Sequence, residues 1–256
     1  MGEPSANGGE AGRRDAPGRD PRTAELAGRL EAVRGRIGAA AAAAGRGDRL
    51  PTLIVVTKFH PVEDIRRLAS LGVTDVGENR DQEAAGKAEL LADCGLTWHF
   101  VGQLQTKKAK SVVRYAAAVH SVDRPQLVDA LAKAMRIQQD STGRAPLDCF
   151  IQVSLEEDAG AHRGGAAPSE VPLLADRIAA GEGLRLAGLM AVAPLGAPPG
   201  PAFEKLAGLS ALLVAQHPGA TAISAGMSQD LEAAIAFGAT HLRIGSDILG
   251  SRPPVG

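Results

Sequence analysis

The sequence is short of aromatic residues, cysteines and long apolar segments. Aromatic residues make up 3% of its 256 residues, and its two cysteines are Cys94 and Cys149. Two cysteines so far apart form neither a disulfide framework nor a metal-ligand spacing, so we expect a reducing, cytoplasmic compartment. Because no run of about 18 apolar residues occurs, the sequence predicts no transmembrane helix and no membrane partner.

Neither sign of charge predominates in the chain. Lys and Arg together number 28, and Asp and Glu number 29, which gives a net charge of −1. A protein that binds nucleic acid usually carries a basic field, so this balance argues against a nucleic-acid partner. The hydrophobic fraction of 45% is ordinary for a globular protein. A chain of this length can bury a core without disulfides or metal.

The first 22 residues differ in composition from the rest. Residues 1–22 contain no Val, Ile, Leu or aromatic residue. Such a segment cannot offset the entropy of ordering by burial, so it is predicted to be a disordered tail. From Thr23, a suitable helix cap, apolar residues recur at helical spacing between Leu26 and Ile37. The expected organisation is therefore a tail followed by one folded domain, 23–256.

Short apolar, β-branched runs then alternate with helical stretches. Continuous apolar runs suit strands buried on both faces of a parallel sheet, and strict alternation indicates parallel crossovers. Eight such units after an N-terminal helix predict a (β/α)8 TIM-type barrel of the α/β class. The alternative is an open doubly wound sheet, although the glycine-rich dinucleotide fingerprint is missing after the first run. The predicted strands are Leu53–Thr57, Val73–Val76, Thr97–Val101, Ala117–Val122, Leu147–Val153, Leu184–Ala191, Thr221–Ser224 and Leu242–Ile244.

A lysine ends the most apolar of these strands. Active sites of such barrels lie at the C-terminal ends of the strands, which is where Lys58 falls. Partial removal from water favours the neutral amine, a nucleophile toward carbonyl groups. The alternative is a lysine that extends from the strand end into solvent.

Small residues follow the last two strands. The seventh strand leads into Ser224–Ser228, and the eighth ends in Arg243–Ser246. The loops after strands 7 and 8 are the usual phosphate-binding place of this fold, where small residues let backbone N–H groups approach an anion. The alternative is that serine and glycine are here simply good loop residues.

For two other polar residues, the sequence predicts structural roles. His99 lies inside a strand, where a hydrogen-bonded core histidine is expected rather than an acid or base. His120 stays open between the two roles. Lys87 falls in a helical stretch, so a solvated helix face is expected for it. No metal ligand is assigned.

A reactive lysine and a phosphate corner together meet the needs of pyridoxal phosphate, which requires an amine for a Schiff base and an anion site. The motifs that carry a family resemblance are Val55–Lys58, Gly77–Glu83, Trp98–Gln105, Gly188–Met190, Ser224–Ser228 and Arg243–Ser246. With these motifs the chain resembles the pyridoxal phosphate homeostasis proteins, single-domain relatives of the alanine racemase barrel. The resemblance spans roughly Leu53 to Arg252.

The resemblance implies a fold-type III pyridoxal phosphate barrel and a role for each matching residue. Lys58 would form the Schiff base, Arg243 would face the pyridine nitrogen, and Asn79 would lie near the cofactor. Ser224, Gly245 and Ser246 would contact the phosphate. Met227 and Ser228 would close the phosphate corner, next to which Asp247 adds an unexpected negative charge. The full set of predicted cofactor-binding residues is Lys58, Asn79, Ser224, Gly226, Met227, Arg243, Gly245 and Ser246.

The implied function is intracellular pyridoxal phosphate homeostasis. We expect a monomer that holds pyridoxal phosphate on Lys58 without significant catalysis, with pyridoxal phosphate-dependent apoenzymes as recipients. The alternative is a pyridoxal phosphate-dependent amino-acid racemase, which needs acid/base groups on both faces of the substrate carbon. That family takes its second base, a tyrosine, from a separate domain. This sequence stops shortly after the eighth strand, and its only tyrosine, Tyr115, lies near the end of a helical stretch and not after a strand.

A third function class is a phosphosugar enzyme on the same barrel. It would need acidic pairs or metal ligands at the strand ends. Glu78, Asp123 and Glu156 are candidates, but they form no recognisable constellation.

Overall fold

Eight parallel strands close into a barrel in the computed structural model, which describes residues 20–155 and 164–251. The strands are β1 (Thr52–Val56), β2 (Asp75–Glu78), β3 (Thr97–Phe100), β4 (Ala116–Val122), β5 (Leu147–Gln152), β6 (Leu184–Met190), β7 (Ala222–Ser224) and β8 (His241–Ile244). Since β1 pairs in parallel with both β2 and β8, the sheet has no free edge. The predicted (β/α)8 barrel is confirmed, and the open doubly wound sheet is excluded.

Helices connect the strands and cover the outside of the barrel. They are α1 (Pro21–Ala43), α2 (Val62–Ser70), α3 (Asp81–Leu90), α4 (Ala109–Val112), α5 (Pro125–Thr142), α6 (Val171–Ala179), α7 (Pro199–Gln216), α8 (Leu231–Ala236) and α9 (Ser246–Leu249). Short 3₁₀ turns precede α4 and α6. The sequence did not predict α9, because its first residue was assigned to a loop.

The N-terminal helix begins earlier than expected. Its first residue is Pro21, and a proline at this position loses no helical hydrogen bond. Thr23 does not cap the helix, since its hydroxyl donates to Asp20 Oδ2 at 3.2 Å from within the first turn. The predicted boundary after residue 22 is therefore too late, and residues 1–19 of the predicted tail lie outside the described residues. The predicted apolar stripe is buried and comprises Leu26, Leu30, Val33 and Ile37.

The interior of the barrel contains a chain of polar side chains. His99 Nε2 lies 2.9 Å from Asp75 Oδ1, and His99 Nδ1 lies 3.0 Å from His120 Nε2. The His120 ring stacks on Phe150 with 4.1 Å between the ring centres. The prediction that His99 is a hydrogen-bonded core residue is confirmed. His120, which the sequence left open, belongs to the same buried chain, and burial lowers its pKa well below the ordinary value.

In the part of the chain that the structure describes, no helix has the length and apolar character needed to cross a membrane.

Candidate functional site

A cavity of about 720 Å³ opens at the C-terminal ends of the strands. Its volume is within the range of ordinary small-molecule sites. Six of the eight predicted binding residues line it: Lys58, Asn79, Met227, Arg243, Gly245 and Ser246. The structure thus brings together residues from the ends of β1, β2, β7 and β8.

Lys58 follows β1 in a four-residue turn. The backbone N–H of His60 donates to the carbonyl of Thr57 at 3.1 Å and closes this turn around Lys58 and Phe59. Lys58 is half-buried and lines the cavity. The turn therefore presents an amine at the mouth of the barrel, as the sequence predicted.

Lys87 is not on a solvated helix face, contrary to expectation. Only 7% of it is exposed, because its position on α3 faces the end of β2 rather than water. Its Nζ lies 2.7 Å from Glu78 Oε1 and 2.6 Å from Glu83 Oε1. Burial raises the pKa of Glu78, and Lys87 opposes this shift. Local sequence gave no signal for the Glu78–Lys87 ion pair, since Glu78 belongs to another element.

Arg243 places a fixed positive charge at the floor of the cavity. Its Nη1 donates to Ser224 Oγ at 2.6 Å, and its Nη2 donates to the carbonyl of Ala191 at 2.9 Å. Burial lowers the pKa of Arg243 to about 10, so the guanidinium stays charged at neutral pH. These two hydrogen bonds fix the orientation of the guanidinium plane of Arg243.

Ser224 has a different environment from the one expected. Its side chain is fully buried between Arg243 and His120, whose Nδ1 lies 2.9 Å from the serine Oγ. It does not line the cavity. The expected contact of Ser224 with a phosphate therefore conflicts with the geometry, because its hydroxyl is already engaged inside the barrel.

Gly226 supports the site from behind rather than lining it. Its φ of 95° lies in a region that favours glycine. A Cβ here would lie 2.7 Å from Ala234 Cβ and 2.8 Å from Leu242 Cδ2. Its carbonyl accepts from the backbone N–H of Arg243 at 2.9 Å. The glycine thus lets the loop after β7 pack against β8.

The hydroxyls of Ser228 and Ser246 meet at the corner between the loops after β7 and β8. Their Oγ atoms are 3.3 Å apart, and both residues line the cavity. Gly245 precedes this corner, where a Cβ would lie 3.1 Å from the carbonyl oxygen of Val56. Ser228 and Ser246, both of which the sequence analysis placed at the phosphate corner, therefore face the cavity, whereas Ser224 does not.

Arg36 of α1 connects the loop after β7 to α9. Its Nη1 lies 2.7 Å from Asp247 Oδ2, and its Nη2 donates to the carbonyl of Ser228 at 2.8 Å. Its Nε donates to Glu232 Oε1 at 2.8 Å. The negative charge of Asp247, unexpected beside a phosphate corner, is thus paired with an arginine from the extra N-terminal helix.

Two buried polar atoms near the cavity lack a hydrogen-bond partner among the described residues. They are Asn79 Oδ1 and His60 Nδ1. Both residues line the cavity, and Asn79 also lines a neighbouring one of about 520 Å³. Burial lowers the pKa of His60. A bound polar molecule would satisfy atoms of this kind.

The residues that the alternative functions require lie elsewhere. Tyr115 does not line the cavity, and its hydroxyl lies 3.5 Å from Asp81 Oδ1. Asp123 pairs with Arg124 at 2.5 Å, and Glu156 lies outside the described residues. Within residues 20–155 and 164–251, no cluster of three or more His, Cys, Asp or Glu side chains could hold a metal ion.

Comparison with known proteins identifies the family. The model of the alanine racemase N-terminal domain matches residues 29–253. A pyridoxal phosphate homeostasis protein of Corynebacterium glutamicum is 48% identical over 203 residues, which cover 78% of this chain and 90% of that protein. The protein of the same name from Escherichia coli K12 is 33% identical, covering 89% of this chain and 97% of the relative. The chain belongs to the pyridoxal phosphate homeostasis protein family, within the alanine racemase N-terminal domain family.

Solved structures agree with this assignment. PipY of Synechococcus elongatus, solved with pyridoxal phosphate bound, superposes with a TM-score of 0.73 at 32% identity, covering 88% of this chain and all of PipY. The alanine racemase of C. glutamicum superposes with a TM-score of 0.62 at 16% identity, covering 91% of this chain and 62% of the racemase. The second likeness concerns the fold alone.

Proposed function

We propose that this protein binds pyridoxal phosphate in the cavity at the strand ends and serves intracellular pyridoxal phosphate homeostasis. The observation that carries the proposal is that Lys58, Arg243 and the Ser228–Ser246 corner open onto one cavity. Relatives named for this function and the pyridoxal phosphate bound to PipY support it.

The residues present fit this molecule. Pyridoxal phosphate supplies an aldehyde that condenses with an amine, with loss of water. Lys58 provides the amine. The hydroxyls of Ser228 and Ser246 donate to the phosphate. Gly245 lets the segment before Ser246 pack closely against Val56 of β1. Asn79 Oδ1 and His60 Nδ1, which lack partners among the described residues, are available to polar groups of the ring.

Arg243 limits the chemistry of the site. An arginine only donates hydrogen bonds and carries a permanent charge, so it disfavours a second positive charge on a nearby pyridine nitrogen. A protonated ring withdraws electrons from the substrate carbon, and a neutral ring does so less. We propose that the protein is a carrier without significant catalysis rather than a racemase. The position of Tyr115 outside the cavity supports this choice.

The remaining proposals concern cellular context. Cys94 and Cys149 are both free thiols, which suits a reducing cytoplasm. We propose a cytoplasmic monomer that releases pyridoxal phosphate to apoenzymes that depend on it. The bond to Lys58 is reversible by hydrolysis, so release needs no further reactant.

Borohydride reduction followed by peptide mapping tests the proposal. We expect the pyridoxyl mass on Lys58, and loss of visible absorbance in Lys58→Ala. Lys205→Ala, an exposed change on α7, serves as the matched control and retains the absorbance. Label on Lys107, Lys108 or Lys110 instead of Lys58 would overturn the assignment.

A further inference from the structure

The turn that carries Lys58 has a strained backbone. Phe59, its third residue, has a φ of 68°, in the left-handed region that side-chain-bearing residues rarely adopt. Glycine or asparagine usually occupies this position in turns of this kind. Such a conformation persists only where the surrounding structure holds it.

A charged cluster, two of whose three members are buried, holds both neighbours of Lys58. This Glu78–Glu83–Lys87 cluster reaches the residue before Lys58 through Lys87 Nζ, which donates to the carbonyl of Thr57 at 2.9 Å. Glu83 Oε1 accepts from the backbone N–H of Phe59, the residue after Lys58, at 2.7 Å.

Lys87 pairs with both carboxylates of the cluster, of which Glu78 is buried and Glu83 is partly exposed. Glu78 is fully buried, and Glu83 and Lys87 are neighbours at i and i+4 on α3. Thr57 Oγ1 donates to Glu78 Oε1 at 2.7 Å, which adds a third connection to the turn. Buried polar groups that lose a partner are costly, so each member keeps the others in place. The turn is thereby fixed to both β2 and α3.

We propose that Glu83, supported by Lys87, is a positioning residue that aims Lys58 at an aldehyde carbon in the cavity. The proposal rests on the proposed function of the cavity. In the step concerned, the neutral amine of Lys58 would add to the aldehyde carbon. The C=O bond and the two amine N–H bonds break, a C=N bond forms, and the oxygen leaves with both protons as water. The phosphate corner fixes the far end of the ligand, so a small displacement of the lysine impairs bond formation.

Two ligands separate positioning from binding. Pyridoxal phosphate can bond to Lys58, whereas pyridoxine phosphate carries an alcohol in place of the aldehyde and cannot. Glu83→Ala leaves the Phe59 N–H without its acceptor, and we expect about tenfold weaker binding of pyridoxal phosphate and slower imine formation. Binding of pyridoxine phosphate should stay within about twofold of the wild type.

Matched variants test whether the missing hydrogen bond to the Phe59 N–H causes the loss of affinity for pyridoxal phosphate. Glu83→Gln keeps an oxygen for the Phe59 N–H and should retain most of the affinity. Glu83→Asp keeps the charge beside Lys87 but shortens the reach, so it should fold and still show the selective loss. Phe59→Gly removes the strain at positive φ, and in combination with Glu83→Ala it should restore imine formation.

The outcomes distinguish this proposal from the one on which it rests. Equal losses for both ligands in Glu83→Asp, unchanged binding of both, or no rescue by Phe59→Gly would overturn the positioning role. A wild-type protein that binds neither ligand would instead overturn the proposed function of the cavity.

Discussion

Ser224 Oγ lies 2.6 Å from Arg243 Nη1 and 2.9 Å from His120 Nδ1. The serine therefore joins the cavity-lining arginine to the buried chain that runs through His99 to Asp75. Its influence on a ligand must pass through Arg243. Ser228 and Ser246, by contrast, line the cavity directly.

A negative charge at the phosphate corner should weaken binding of phosphorylated ligands only. In Ser246→Asp, the new carboxylate would face the phosphate, and the affinity for pyridoxal phosphate should fall by at least about tenfold, or 1.4 kcal/mol. Affinity for pyridoxal, which lacks the phosphate, should hardly change. Titration of both ligands followed by absorbance measures this difference.

Ser224→Ala provides the contrast. Because this serine contacts Arg243, its loss should change the affinities for pyridoxal phosphate and pyridoxal by similar factors. If Ser224→Ala selectively lowered the affinity for pyridoxal phosphate and Ser246→Asp did not, the phosphate contact would be assigned to Ser224.

Sequence patterns located the barrel and one end of the site well. Every predicted strand agrees with the observed one to within two residues at each end. Short β-branched apolar runs that alternate with helical stretches are typical of buried parallel strands. Lys58 was singled out as a candidate because a strand end defines its place in such a barrel, and it lines the cavity.

The remaining details depend on side-chain direction and on distant partners. Ser224 and Ser228 belong to one short segment, and position after a strand does not tell which hydroxyl faces the cavity. The burial of Lys87 depends on Glu78, which belongs to a different element. Arg36 reaches the phosphate corner from α1, about 200 residues away in sequence, and no local pattern signals such a contact.

The start of α1 should contribute measurably to stability. Arg22 Nη2 lies 2.7 Å from Asp64 Oδ2 and donates to the carbonyl of Leu249 at 2.9 Å, and Asp64 is buried. Arg22→Ala should therefore lower the free energy of unfolding by about 1–2 kcal/mol, measured by denaturant titration.

Arg177→Ala is the matched control for this change. Arg177 makes two 2.7 Å hydrogen bonds to Asp129, but both side chains are exposed, so its loss should cost at most about 0.5 kcal/mol. Equal effects of the two variants would show that the start of α1 does not anchor the helix.

His120, which is buried, and His241, which is half-buried, should make the fold sensitive to mild acid. Burial, with a smaller contribution from His99, lowers the pKa of His241 from 6.5 to about 4, and burial also lowers the pKa of His120 well below its ordinary value. The unfolded chain binds these protons near pH 6.5 and the folded chain does not, so stability is full above this pH and falls as pH drops toward 4. Each of the two histidines contributes to this loss, by up to about 1.4 kcal/mol of unfolding free energy per pH unit.

His241→Gln removes one titrating group and should flatten the fall in unfolding free energy between neutral pH and about pH 5. Denaturant titrations at several pH values measure the slope. A slope that is the same in the variant and the wild type would exclude His241 as a source.

Turnover should be negligible with common amino acids. Racemisation needs proton transfer on both faces of the α-carbon, and losing one positioned acid/base group typically costs about 10²–10⁴-fold. In the proposed arrangement Lys58 would serve one face, and the charge on Arg243 would weaken the electron withdrawal that stabilises the deprotonated carbon. Tyr115 does not line the cavity. Chiral chromatography of L-alanine incubated in heavy water, with proton NMR alongside, should show slow deuterium uptake and no D-alanine. D-alanine at ordinary turnover numbers, about 1–10³ per second, would reveal a racemase, and His60→Ala would then test whether His60 is the second base.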